Sequence, residues 1–256
     1  MGDSLAGVVL AAGAGSRLAP LTRFRPKPLC PVGNRALVDH ALDRLVPELA
    51  GPASVAVNLH HGAALLDAHL PPEVHRSLEP VALGTAGALG ALHPWIDGRD
   101  VLLTNGDGWF GPGLDLSTFV DGWDRERIRL LCVVDEVQGD FGSNRYCGVA
   151  LLPWATVAQL EAEPSGLYEV SWRAEAAAGR LDLVRHDVAF IDCGTPRSYL
   201  AANLASSGGR SVVDPRAVVD PGASLHHVVL WEGAEVTAGE QLFDTIRGEK
   251  FTLLIR

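Results

Sequence analysis

The sequence predicts an α/β protein, one large domain with a small appendage, and three observations predict it. Short apolar runs at 7–12, 54–59, 101–104, 128–134 and 148–152 are uniform enough for strands buried on both faces, as in a mostly parallel sheet. Between the first two, residues 34–49 carry Leu37, Val38, Ala41, Leu42, Leu45 and Val46 at helical spacing, so that one face packs on the sheet. Beyond Gly208-Gly209, Val213, Val219 and Leu225 recur every six residues, as do Pro215 with Pro221, Ala217 with Ala223 and Gly233 with Gly239. That period is the mark of a parallel β-helix, here with only a few rungs. A solenoid so short cannot cover its own ends, so it should pack on the large domain or on another subunit.

The first strand leads into Gly13-Ala14-Gly15, where a tight turn frees backbone N–H groups that can hold an anion. Arg17 follows two residues later. Lys27 lies between Pro26 and Pro28, which restrict the backbone and fix where the ammonium points. Two cations and a glycine turn suit a triphosphate. A dinucleotide fingerprint is the competing reading, but its third glycine is Leu18 here, and Pro20 and Pro26 interrupt the helix that it needs.

Gly51-Pro52 ends the 34–49 helix, and the 54–59 strand delivers Asn58, His60 and His61 to its carboxyl end, where open α/β sheets place ligands. The two histidines fit a surface turn before a helix over 63–70 equally well, and no third metal ligand is spaced near them. Glu79-Pro80 leads to Gly84 and to small residues at 86–88 that begin a helix. The 101–104 strand runs out into Asn105-Gly106-Asp107-Gly108, presenting a carboxylate with glycines on both sides. The 128–134 strand is expected near the sheet centre. Asn144, Arg145 and Tyr146 precede the 148–152 strand, Glu169 precedes a short amphipathic helix, and a strand over 188–191 leads to Asp192, with Thr195-Pro196 opening the next helix.

Leu10-Ala-Ala-Gly-Ala-Gly-Ser-Arg-Leu-Ala-Pro-Leu-Thr followed by Pro26-Lys-Pro-Leu-Cys-Pro-Val resembles the signature of the sugar-1-phosphate nucleotidyltransferases. Leu83-Gly-Thr-Ala-Gly, Asn105-Gly-Asp and Asp192-Cys-Gly-Thr-Pro fall in the family's order behind it. The resemblance implies a Rossmann-like nucleotidyltransferase domain over 1–208 with a mixed, mostly parallel sheet, and a hexapeptide-repeat tail over 209–256, a fragment of left-handed parallel β-helix. It implies a nucleoside triphosphate and a sugar 1-phosphate as substrates, joined to a nucleotide sugar with release of pyrophosphate. Leu10, Ala11, Ala12, Gly13, Ala14, Gly15, Glu79, Gly84 and Thr85 would then bind the nucleotide, Arg17 and Lys27 would act on the reacting phosphates, and Asp107 with Asp192 would hold Mg²⁺, both at strand exits on the carboxyl edge of one sheet. Gly84 would let the backbone approach the base.

The Glu-Lys-Pro segment with which longer members meet the sugar phosphate is absent between 135 and 153. Asn58, Arg145 and Glu169 are the candidates left for the sugar phosphate. A carboxylate at Glu79 facing the base can accept two hydrogen bonds from guanine and one from uracil or thymine, which places GTP ahead of UTP and dTTP. Two other classes remain open: a catalytically inactive nucleotide-sugar-binding regulatory subunit of the same fold, and a hexapeptide-repeat acyltransferase, which needs more rungs than the tail provides.

The net charge of −10 and the pI near 5.3 leave no basic run for a nucleic-acid backbone. An anionic substrate must therefore be met by local cations. Cys30, Cys132, Cys147 and Cys193 are scattered without CxxC spacing, and neither a signal-peptide pattern nor an apolar run of membrane-spanning length is present. The expectation is a reduced, cytoplasmic protein.

Overall fold

The computed structural model describes residues 5–255. In chain order it runs β1 (Leu5–Leu10), a hairpin of β2 (Pro31–Val32) and β3 (Arg35–Ala36), α1 (Leu37–Leu45), β4 (Val55–Leu59), α2 (Ala63–His69) and β5 (His75–Leu78). α3 (Gly84–Ala91), a single turn α4 (His93–Ile96), β6 (Asp100–Asn105), β7 (Gly108–Phe110), the turn α5 (Ser117–Val120), β8 (Arg129–Val134), β9 (Asn144–Leu152) and the turn α6 (Trp154–Val157) follow. A π-helical turn at Tyr168–Trp172 enters α7 (Arg173–Ala177), and β10 (Asp182–Arg185), β11 (Phe190–Asp192) and α8 (Pro196–Ser206) complete the large unit.

Seven strands form the main sheet in the order β10-β8-β9-β6-β1-β4-β5. All neighbours pair in parallel except β9, which is antiparallel to both β6 and β8. The expected mixed, mostly parallel sheet is present. β8 is not central, however: it lies one place from the edge, because β9 starts at Asn144, four residues before the expected 148, and returns between β8 and β6. The sheet separates two apolar clusters. Val38, Ala41, Leu42 and Leu45 of α1 pack on one face, and Ala86 and Leu89 of α3 on the other. A fully buried aliphatic side chain stabilises by about 1.5–3 kcal/mol, so these two layers supply the main driving force for the sheet.

α1 is shorter than the expected 34–49. Gly33 and Asn34 both have positive φ (59° and 63°), the signature of the tight turn that joins β2 to β3, so the helix begins only at Leu37. After Leu45 the chain tightens into a 3₁₀ turn at Val46–Glu48 containing Pro47. Among the described residues no helix is long and apolar enough to cross a membrane.

The tail consists of β12 (Val212–Val213), β13 (Val218–Val219), β14 (Ser224–Leu230), β15 (Glu235–Val236), β16 (Gln241–Gly248) and β17 (Phe251–Leu254). Strand starts at Val212, Val218 and Ser224 keep the six-residue spacing. Each stacks in parallel on a strand 17 residues later, as Val212 on Val229, Val218 on Glu235 and Ser224 on Gln241, and β17 closes the stack antiparallel to β16. His227 and Asp244, themselves 17 residues apart, both have positive φ, 55° and 42°. The tail packs on the large unit of its own chain: Val212, Val229, Trp231 and Ile246 share one apolar cluster with Tyr199 and Leu200 of α8 and with Leu18 and Leu21.

Candidate active site

The residues after β1 form the floor of two adjoining cavities at the carboxyl edge of the sheet. The smaller, about 170 Å³, is lined by Gly13, Gly15, Arg17, Lys27 and Asp107 among others. The larger, about 250 Å³, is bounded by Ala12, Asn58, Glu79, Gly84, Thr85 and Asn105, and shares Leu10, Gly13 and Asp107 with the first. Nothing lies within 4 Å of the Cβ position that Gly13 lacks, so its backbone faces open space. Gly15 is required for another reason: its φ is 61°, and a Cβ there would stand 2.9 Å from Cβ of Lys27 and from Cγ2 of Thr22. The turn is glycine because the lysine packs against it.

Lys27 opens a 3₁₀ turn after Pro26, and its side chain is 6% exposed. Its Nζ donates to Oδ2 of Asp107 at 2.8 Å and to Oδ1 of Asp192 at 3.4 Å. Burial acts to lower the pKa of this ammonium, but the charge and hydrogen bond of Asp107 and the charge of Asp192 outweigh it, so it ends above the ordinary lysine value and stays protonated. The two aspartates thus converge on one cation, although not from one sheet as the sequence suggested. β11 pairs antiparallel with β7 in a separate two-stranded sheet, and Asp192 lies opposite Gly108, beside Asp107. Arg17 reaches Oδ2 of Asp192 at 3.7 Å and is 72% exposed, a solvated cation at the mouth of the cavity.

Asn58 and Glu79 hold different positions from those expected of them. Asn58 is 2% exposed; its Oδ1 accepts from the Ala11 N–H at 2.6 Å, and its Nδ2 donates to Oε1 of Glu79 at 2.7 Å. Both ends of its amide are thus engaged by the protein, between the chain leaving β1 and the wall of the larger cavity. Oε2 of Glu79 accepts from the Leu83 N–H at 3.1 Å, and His60 bonds the Glu79 carbonyl at 2.8 Å. A carboxylate that spans Asn58 and Leu83 braces the cavity wall, and each of its oxygens already accepts one bond from the protein.

Gly84 lines the larger cavity and also makes a close contact on its other side. Its missing Cβ is matched by the Ser165 carbonyl, 2.4 Å from where a Cβ would be, and those of Gly87 and Gly90 by the backbone of Glu163 and Glu161. The stripe of glycines on α3 accepts the main chain of residues 161–165, while Thr85 Oγ1 accepts from the Leu167 N–H at 2.8 Å. Arg145 is paired with Asp135 of its own hairpin at 3.4 Å, and exposed Glu169 lies against Gly166; neither lines the two cavities. Sequence reasoning passed over Asn105, which lines the larger cavity beside Asp107. Its position at the end of β6, two residues before the carboxylate, was the available signal.

Residues 6–140 match the family model described as nucleotidyl transferase. The chain belongs to this family. The resemblance to sugar-1-phosphate nucleotidyltransferases is therefore upheld, and so is the enzyme class. This nucleotidyl transferase is 29% identical over 230 residues to an N-acetylmuramate alpha-1-phosphate uridylyltransferase of Caulobacter vibrioides, covering 76% of the chain and 94% of that protein. It is 24% identical over 225 residues to a mannose-1-phosphate guanylyltransferase catalytic subunit beta of Dictyostelium discoideum, covering 76% of the chain and 62% of that protein. A crystal structure titled mannose-1-phosphate geranyltransferase, from Thermus thermophilus, shares the fold with a TM-score of 0.70 at 18% identity, over 98% of the chain and 95% of that one.

The four cysteines are buried and free. Desolvation pushes the thiols of Cys30, Cys132 and Cys193 up to about 12, so they are neutral and poor nucleophiles.

Proposed function

We propose that this chain transfers a nucleotidyl group from a nucleoside triphosphate to a sugar 1-phosphate, releasing pyrophosphate. The observation that carries the reading is the gathering of Lys27, Asp107 and Asp192 beside the open backbone of Gly13, with Arg17 at the mouth. An oxygen of the acceptor phosphate attacks the α-phosphorus in line, one P–O bond forms, and the bond to pyrophosphate breaks. Backbone N–H groups around Gly13 and Gly15 hold the β- and γ-phosphates, Arg17 neutralises the departing pyrophosphate, and Lys27 stands between the α-phosphate and the attacking one. Positioning and charge do the catalysis, as in other phosphoryl-type transfers.

The donor set fits Mg²⁺. Asp107 and Asp192 already turn hard oxygen ligands toward one cationic centre, and no cluster of three or more His, Cys, Asp or Glu offers a full protein cage among the described residues. The ion, held by these two carboxylates and substrate phosphate oxygens, would offset phosphate charge. The same intact constellation argues against an inactive regulatory subunit.

For the base, guanine comes first only if both oxygens of Glu79 stand open, and each already accepts a bond. With Glu79 giving neither base an advantage, we place UTP ahead of GTP on the likeness to the uridylyltransferase relative, which the chain spans over 94% of its length. N-acetylmuramate α-1-phosphate is the first acceptor to try. We also propose the division into a catalytic unit over 1–208 and a tail over 209–256; the constant 17-residue offset supports a coiled tail, and its left hand is what the family resemblance implies. A pyrophosphate-release assay over five triphosphates and a panel of sugar 1-phosphates tests the function. Release with UTP and an acceptor, abolished by chelation, is expected; no release from any pair overturns it.

A further inference from the structure

The segment that carries Lys27 is braced on both sides. Upstream, the Arg25 guanidinium lies over the Trp231 ring at 5.2 Å and pairs with Glu232 at 3.6 Å, while Phe24 stacks on Phe251 with centroids 4.7 Å apart. Downstream, the Pro31 carbonyl accepts from the Tyr199 hydroxyl and from Nδ2 of Asn203 at 3.3 Å. The Tyr199 hydroxyl in turn accepts from Trp231 Nε1 at 3.0 Å. Trp231, 4% exposed, thus touches the support on both sides of the lysine.

We propose that Trp231 is a positioning residue for Lys27, so that the tail is a working part of the active site. The inference rests on the nucleotidyl-transfer reading for its kinetic consequence and on geometry alone for its structural one. The Lys27 ammonium must hold one position between two phosphates. Asp107 and Asp192 hold the ammonium itself, but the turn that carries it spans only three residues, Lys27–Leu29, and no hydrogen bond inside so short a turn anchors its backbone to the rest of the fold. The cation–π and stacking contacts on one side, and the hydrogen-bond relay from Trp231 through Tyr199 to Pro31 on the other, supply that restraint from a different part of the fold. A displacement of about 1 Å at such a group is sufficient to cost turnover without unfolding the protein.

The test uses a property of the sequence: Lys27 and Lys250 are its only lysines. In full-length protein carrying ¹³C-labelled lysine, the side-chain signals of the buried Lys27 and the exposed Lys250 act as probe and internal control. Trp231→Phe keeps an aromatic ring but removes the N–H that reaches Tyr199 together with part of the indole's packing, and Tyr199→Phe removes only the hydroxyl that reaches Pro31. In each variant the Lys27 Cε signal is expected to move toward that of Lys250 and to lose order, with no substrate present. With substrates, kcat should fall about tenfold while KM for the triphosphate stays within about twofold. In a Lys27→Ala background, Trp231→Phe should change kcat by less than about twofold, because the effect travels through the lysine. An unchanged Lys27 signal in both variants overturns the proposal, as does an equal fall in kcat with and without Lys27. Should the wild-type protein release no pyrophosphate from any pair, the functional reading fails by itself and the lysine signal still decides this one.

Discussion

Asn58→Ala removes the residue that joins Ala11, at the exit of β1, to the cavity wall, and its cost can be worked from the bonds it makes. The Ala11 N–H loses a 2.6 Å partner in a buried setting, and Glu79 loses a 2.7 Å donor to a carboxylate that is 3% exposed. A buried unpaired amide costs about 1–3 kcal/mol, and a bond to a charged group contributes about 1.5–3, so the sum is roughly 2.5–6 kcal/mol. Urea denaturation followed by tryptophan fluorescence measures it directly. Asn58→Asp separates packing from charge. It keeps the acceptor for Ala11 but sets a second carboxylate against Oε1 of Glu79, so the pair must share a proton. The shared proton is bound more tightly folded than unfolded, so the stability of this variant is present at low pH and lost as pH rises, the opposite of an ordinary paired carboxylate. A loss below about 1 kcal/mol for Asn58→Ala, or an Asn58→Asp variant equally stable at pH 5 and pH 8, would refute the idea that these bonds hold the cavity together.

Three further outcomes are expected. Arg17→Ala should leave the melting temperature unchanged, since the side chain is 72% exposed, and lower kcat about a hundredfold in the pyrophosphate assay; near-normal turnover would remove Arg17 from the reacting phosphates. Gly87→Ala should destabilise by more than about 1 kcal/mol in the same urea titration, because its Cβ would lie 2.2 Å from the Glu163 carbonyl. His40 has a pKa below the usual 6.5, chiefly through burial, with its Val32 carbonyl bond acting against the shift and the charges of Arg35 and Arg44 adding to it. The unfolded chain therefore binds the proton first, so stability is full above pH 6.5 and falls as pH drops through it; melting curves across pH 5–8 should show this slope, and His40→Gln should flatten it.

The strands and the signature were legible because each depends on local chemistry: apolar runs, glycines before an anion, prolines around Lys27. What escaped depends on contacts remote in sequence. β9 enters the sheet between β8 and β6, and no period in 144–152 records which neighbours it will take. The convergence of Asp107 and Asp192 could be read from their motifs, but the small sheet that achieves it could not, since β7 and β11 are three residues each. Asn58 and Glu79 were recognised as site residues and given outward roles; a polar residue at a strand end reads the same whether it faces a ligand or another side chain 21 positions away.

The glycine stripe on α3 divides the tolerance for change unevenly between the two surfaces that meet there. Residues 161–165 touch the helix through their main chain, and at 161–164 the side chains point outward into solvent. Substitutions at Glu161, Ala162 and Glu163 should therefore be accepted almost freely, whereas any side chain at Gly84, Gly87 or Gly90 displaces the whole segment. Random mutagenesis selected for activity would accumulate changes on the overlying strip and almost none beneath it, with the boundary drawn by the absence of three Cβ atoms.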